Sequence, residues 1–205
     1  MSVREDDYLA LLYRLMEAGL EARLSLVSEE LKVSAPAAAK VLVKLTNEGY
    51  VEKRGLTYVL TPKGLERARG VVKNHRVLEK FLADTLKVGS REAHELAHEL
   101  EHLERFAELV DSFLKFPCQC PHGNPVPGRE TVSDVPLSRV GRGVYTLARI
   151  GEVNEVLEWL HALTLQPGKR IEVVDVGLDH MVIKFEGREA RLPLRVASLV
   201  FVKKG

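Results

Sequence analysis

Apolar residues recur at helical spacing through the first half of the chain and alternate in short runs through its last third, so the sequence divides by texture alone. In residues 3–18, Tyr8, Leu9, Leu11, Leu12, Leu15 and Met16 mark one face of an amphipathic helix, and Gly19 ends it. A short helix over residues 26–31, a turn at Lys32 and Val33, and a longer helix opened by Ser34 come next. Ser34 is a preferred N-cap, and Pro36 is tolerated in the first turn. Two helices joined by so tight a turn predict a helix-turn-helix. Residues 50–60 then read as two β-prone arms around Lys53-Arg54-Gly55, the hairpin that makes a helix-turn-helix winged.

Thr61 caps a further helix with Pro62 at its first position, and its apolar pattern continues to about Lys87. After Gly89, Ser90 is expected to cap a single helix running to Lys115, with Leu96, Leu100, Leu103, Ala107, Val110 and Leu114 as an apolar seam of coiled-coil spacing. These helices form a hairpin whose apolar faces exceed what the hairpin covers, which predicts a partner subunit. Residues 117–136 are rich in proline and glycine and form an irregular connector. Beyond it, β-rich runs at residues 143–150, 170–176, 180–185, 189–194 and 198–202, with a short helix over 153–163, predict a small β-barrel.

Composition adds little until it is divided along the chain. The net charge is +1, but residues 23–73 hold ten Lys and Arg against five Asp and Glu, and residues 74–135 hold seven against eleven. A basic helix-turn-helix suits a polyanion, and an acidic, histidine-rich helical segment suits a cation. No apolar run is long enough to span a bilayer and the first residues lack a signal peptide's apolar core, so a cytoplasmic protein with no membrane partner is expected. Cys118 and Cys120 are too close for a disulfide framework. With His122 they are a candidate zinc set, but a rigid turn is the better reading because structural zinc wants four ligands with wider pair spacing.

Candidate chemistry concentrates between His75 and His102. His75 and Glu79 lie one helical turn apart, as do His94 and His98, followed by Glu101 and His102. Two helices carrying these sets side by side would close a cage of imidazoles and carboxylates around a metal. Asp7, near the start of the first helix, suits the helix dipole on its own terms. No catalytic triad order, phosphate-cradling loop or dinucleotide fingerprint is present, so no catalytic residues and no small organic substrate are expected. Two competing readings remain: a metal-dependent hydrolase with an open coordination position, and a metal-independent winged-helix protein with a merely charged hairpin.

The order winged helix, His-x3-Glu, His-x3-His-x2-Glu-His, Cys-Pro-His-Gly-x-Pro-x-Pro and small β-domain closely resembles the diphtheria toxin repressor family of metal-dependent transcription regulators. The resemblance covers nearly the whole chain. It implies an α+β fold of three parts: a winged helix-turn-helix DNA-binding domain over residues 1–73, a helical metal-binding and dimerisation domain over 74–116, and, after a proline-rich linker over 117–136, an SH3-like (FeoA-like) β-domain over 137–205. It implies a homodimer that binds double-stranded operator DNA, represses metal-uptake genes and is activated by Mn2+ or Fe2+, with two metal sites per subunit.

Residue by residue, the resemblance assigns Asp7, His98, Glu101 and His102 to a primary site, and His75, Glu79 and His94 to an ancillary one. Glu152 and Glu155 have the spacing by which some members' β-domains assist the ancillary site. Iron-sensing members carry Met and Cys at the Asp7 and His98 positions, and manganese sensors carry Asp and Glu; here the pair is Asp and His. A second acid of the manganese branch is replaced by Ala10. On the DNA side, Ser34, Ala35, Pro36, Ala37, Ala39, Lys40 and Lys44 of the recognition helix, with Lys53 and Arg54 of the wing, are the expected contacts. Alanines touch thymine methyls but make no hydrogen bond to a base edge, and the cations suit phosphates. Readout mainly by shape, methyl contacts and charge is therefore expected.

Overall fold

A computed structural model of the chain describes residues 3–129 and 133–204. The chain divides into two compact units: one runs to Pro117 and includes Val126–Gly128, and the other consists of Cys118–Pro125 with the residues from Arg129 onward. Helix and sheet are mixed, as expected.

In the first unit, α1 (Glu5–Glu17) packs against α2 (Leu24–Glu30), α3 (Ala35–Asn47), the wing and α4 (Pro62–Lys80). Because neighbours surround it, its buried positions run continuously from Tyr8 to Leu15, wider than the single apolar face the spacing predicts. Ser34 caps α3 by accepting the Ala37 amide at 3.3 Å, and the Thr61 hydroxyl accepts the Gly64 amide at the start of α4 at 3.1 Å. The wing strands β1 (Val51–Arg54) and β2 (Thr57–Leu60) pair antiparallel with Arg54 opposite Thr57. The turn is thus Gly55-Leu56, one step later than expected. Gly55, at φ 61, supplies the positive φ that a two-residue hairpin needs at its first turn position. Gly64 is required for a different reason: a Cβ there would meet the Tyr50 carbonyl oxygen at 1.9 Å, so only glycine lets α4 approach the wing this closely.

After α4, a π-helical segment (Phe81–Thr85) ends the first arm of the hairpin. The expected single helix from Ser90 to Lys115 is broken into α5 (Ser90–Leu100) and α6 (Glu104–Phe113), and Gly89 rather than Ser90 is the N-cap. No proline or glycine marks the break. The Asn74 amide donates to the Glu101 carbonyl at 3.1 Å, and Leu103 leaves helical geometry at φ −90, ψ 71. A carbonyl that would serve the next helical turn is thereby capped from α4. The expected seam is cut with it: Ala107 and Val110 are buried with Val77, Leu78 and Leu82, whereas Leu103 is 52% exposed.

The second unit is a six-stranded antiparallel sheet among the described residues, in the order β3-β8-β4-β5-β6-β7. Its strands are β3 (Val135–Pro136), β4 (Gly143–Ile150), β5 (Arg170–Val176), β6 (His180–Phe185), β7 (Arg188–Pro193) and β8 (Val200–Lys204). Helix α7 (Asn154–Leu163) follows β4, and α8 (Leu194–Ala197) separates β7 from β8. The segment β3 and the helix α8 were not legible as elements in sequence, because two and four residues carry no period. The proline-rich segment is ordered where described. The Ile150 amide donates to the His122 carbonyl at 2.9 Å, and a Cβ on Gly123 would meet the Ala148 carbonyl oxygen at 2.1 Å, so this loop lies directly on β4.

Candidate metal centre

Four segments of the first unit supply the candidate ligands: the first turn of α1 gives Asp7, mid-α4 gives His75 and Glu79, α5 gives His94 and His98, and the turn after it gives Glu101 and His102. Glu101 keeps helical geometry as the C-cap of α5, 1% exposed and 3.5 Å from His98 one turn earlier, and His102 beside it meets Asp7 of α1.

The ligands fall into two clusters, within each of which one donor atom per residue lies within 4.8 Å of the others: Asp7, Glu101 and His102, and His75, His94 and His98. His102 Nε2 is 2.8 Å from Asp7 Oδ1. His75 Nδ1 is 2.7 Å from Glu101 Oε2, and His75 Nε2 is 3.1 Å from His94 Nδ1, which is itself 2.9 Å from Glu79 Oε1. All seven residues assigned by the resemblance thus sit together. The division differs from the expected one at His98, which joins His75 and His94 while keeping a 3.5 Å approach to Glu101, and at Glu79, which lies outside both clusters and reaches them through His94.

Glu101 is the hub. Its Oε2 faces His75 and, at 3.4 Å, Arg14 Nη2, while its Oε1 is buried with no hydrogen-bond partner among the described residues. Burial by itself raises a carboxyl group, but the bonds to His75 and His98 and the charge of Arg14 outweigh it and hold Glu101 well below the usual carboxylate range. His75 is pushed down to about 3, first by burial and then by Arg14 and His98. The centre therefore combines an ionised carboxylate with a neutral imidazole, the protonation states in which both groups bind metals. A buried, ionised oxygen without a donor is costly to maintain, and a divalent cation beside Asp7 and His102 is what would satisfy it. The residues present fit a metal.

Sequence reasoning missed Arg14 and Asn74. Arg14 lies two helical turns from Asp7, so the two share a face of α1, and that spacing was the available signal. For Asn74 no signal exists, because its partner is a carbonyl created by a break that the sequence does not announce.

Within the second unit, Glu152 is buried and accepts the Asn124 side-chain amide at 3.1 Å, with Cys120 Sγ at 3.7 Å. Glu155 is not brought to that group; it pairs with Arg195 at 2.6 Å on the surface. Cys118 is exposed, whereas Cys120 and His122 are buried, the His122 ring 5.8 Å from that of His161. On the DNA side, Ser34, Ala35, Pro36, Ala37, Lys40, Lys44, Lys53 and Arg54 are exposed and Ala39 is half-buried, while Ala38 belongs to the core. Lys44 is paired with Glu5 of α1, Arg54 with Glu52 at 2.8 Å, and Lys53 lies 5.7 Å from the Tyr58 ring centre.

Models of three domain families match the chain end to end: the iron-dependent repressor N-terminal DNA-binding domain over residues 1–56, the iron-dependent repressor metal-binding and dimerisation domain over 61–128, and the FeoA domain over 135–204. The apo form of the manganese-activated repressor ScaR is 30% identical, with a TM-score of 0.81 over 97% of this chain and 100% of that one. The chain belongs to the iron-dependent repressor family. The manganese regulator SloR is 29% identical with a TM-score of 0.88 over the whole of both chains. The diphtheria toxin repressor of Corynebacterium diphtheriae is 26% identical over 90% of each. The family is one of metal-dependent transcriptional regulators that bind DNA, and this member has a winged helix and a cluster of candidate metal ligands joined to it through α1 and α4. Among the described residues no helix is long and apolar enough to cross a membrane.

Proposed function

We propose that this chain is a cytoplasmic, homodimeric repressor whose hold on operator DNA is strengthened by a divalent cation, Mn2+ or Fe2+, held by Asp7, Glu101 and His102. The observation that carries the reading is the buried, unpartnered Oε1 of ionised Glu101, placed between α1 and the turn that follows α5. Arg14 serves Oε2 of Glu101, so a cation bound at Oε1 would offset the Asp7 carboxylate and tie the two segments together. His75, Glu79, His94 and His98 form the second ligand group. Glu152 belongs to the β-domain's own buried cluster, and Glu155 has no part in it.

The route from site to DNA runs through the first turn of α1. Glu5, Asp6 and Asp7 each meet a different partner: Lys44 of the recognition helix, Arg67 of α4 at 2.6 Å, and His102. Fixing Asp7 therefore fixes the segment that orients α3. A homodimer is supported by α6, where Phe106, Leu109 and Phe113 are exposed at helical spacing, an apolar face uncovered by the described residues. In a dimer two recognition helices present Ser34, Ala35, Pro36, Ala37, Ala39 and Lys40 to successive major grooves. Residues 1–73 read DNA, 74–116 bind metal and dimerise, and 137–205 form the SH3-like β-domain.

Linkage requires that metal and operator strengthen each other's binding by one factor, typically about 5–150-fold. Fluorescence anisotropy with DNA from upstream of the protein's own gene, after chelation and then with added Mn2+ or Fe2+, should show that gain in the wild type. Asp7→Ala and His102→Ala should lose it. Operator affinity indifferent to either metal would sink the reading.

A further inference from the structure

Arg14 lies two turns on from Asp7 along the same face of α1 and is buried. A guanidinium keeps its charge in a folded protein, so its burial places a fixed positive charge beside the candidate ligands. Its Nη2 stands 3.4 Å from Oε2 of Glu101, the carboxylate grouped with Asp7 and His102. Ala10 and Leu11, between Asp7 and Arg14 on that face, are buried and bring no charge. Glu17, the next acid along α1, is held by Arg76 through both of its oxygens. The acids of the cluster are therefore Asp7 and Glu101, and a guanidinium already offsets one of them. The reach of that charge shows in the neighbouring rings. Burial and then Arg14 push His75 down to about 3, and burial with Arg14 lowers His98 against the opposing pull of its bond to Glu101. A charge that resists a proton on these rings resists a divalent cation on the adjoining carboxylate for the same Coulombic reason.

We propose that Arg14 is a built-in opposing cation that sets the metal threshold of the Asp7, Glu101 and His102 centre. The inference rests on the reading of that centre as the regulatory metal site and adds what sets its sensitivity. Arg14 is not a ligand, because a guanidinium has no acceptor atom. Without a metal it offsets the buried Glu101 carboxylate. When a divalent cation shares that carboxylate, guanidinium and metal repel each other across it. The same side chain thus stabilises the metal-free state and opposes the metal-bound one, and both effects move the response to higher metal concentration. A fixed charge acts on an ion's charge and not on its preferred donors or geometry. Arg14 therefore sets the level of metal sensed, while the ligands set the choice of metal. A merely structural role carries the opposite sign, since losing a residue that only holds Glu101 in place would weaken metal binding.

The test uses the full-length, chelator-treated protein, with Mn2+ followed by the electron paramagnetic resonance of the free ion and Co2+ by its visible absorption. Arg14→Gln, which keeps a neutral donor, and Arg14→Met, which keeps an unbranched stem, should each bind Mn2+ roughly tenfold or more tightly than the wild type. Co2+ should gain by the same factor to within about threefold, because the effect is one of charge. Arg14→Lys, which restores the charge, should return both affinities to within about threefold of the wild type. Two neutral variants of different shape keep the test open if one of them folds poorly. The proposal is overturned if the neutral variants bind Mn2+ no more tightly than the wild type, if only one of the two metals gains, or if Arg14→Lys gains as much as they do. Failure of the regulatory reading is a distinct result: operator affinity would ignore Mn2+ in every variant while the gain in Mn2+ affinity, measured without DNA, stood.

Discussion

Replacing Glu101 with glutamine tests the hub directly, because it keeps the side chain's shape and removes only its charge. Glu101 faces Arg14, 5% exposed, at 3.4 Å and His75, fully buried, at 2.7 Å. Removing one partner of a buried ion pair leaves the other charge uncompensated and costs roughly 3–5 kcal/mol. At about 4 °C per kcal/mol for a unit of this length, the melting midpoint of the N-terminal unit should fall by roughly 10–20 °C. Added Mn2+ at a hundredfold excess over its dissociation constant contributes about 2.7 kcal/mol to the wild type, a rise of roughly 10 °C. Glu101→Gln should lose most of that rise.

The double variant Arg14→Met with Glu101→Gln separates the two effects. With both charges gone the chelated protein should recover most of its stability, since a buried pair replaced whole is close to neutral. The response to Mn2+ should stay lost. Differential scanning calorimetry with and without Mn2+ measures all of this. A Glu101→Gln protein that melted within about 2 °C of the wild type and kept its full Mn2+ shift would refute the assignment of Glu101 as the shared anchor.

Histidine burial predicts a pH dependence in the chelated state. His75 takes a proton near 6.5 when unfolded but only near 3 when folded, so folding must exclude that proton at lower pH. Stability should be constant above about pH 7 and decline as pH falls toward 5, with His75→Gln showing a shallower decline in melting midpoint. Leu109→Glu and Phe113→Glu place charge on the exposed α6 face, 57% and 64% exposed, and sedimentation velocity should then find monomers even with metal present. Lys40→Ala should weaken binding alike on different DNA sequences and flatten the log–log salt dependence by roughly 1.8, about 0.9 for each copy in a dimer. A loss confined to one sequence would mean Lys40 reads bases rather than phosphates.

Much of the architecture is written locally and can be read without coordinates. Ser34 and Thr61 act on their own next turn of backbone, Gly55 on its own dihedral, and alternating residues from Gly143 onward on their own strands, so caps, wing and sheet follow from neighbours along the chain. The ligand types are equally legible, because the spacing of His75, Glu79, His94, His98, Glu101 and His102 is itself a helical pattern. What only the tertiary structure decided is how those ligands are shared out. The chain from Ser90 to Lys115 has helix-forming residues throughout, yet Asn74, 27 positions before Glu101, caps the carbonyl that ends α5. Around that turn Glu101 faces His75 and Arg14, His102 faces Asp7, and His98 lies with the other imidazoles. Local pattern fixes which side chains a helix offers, and packing fixes which of them meet, so the candidate ligands are in the sequence and their grouping is in the fold.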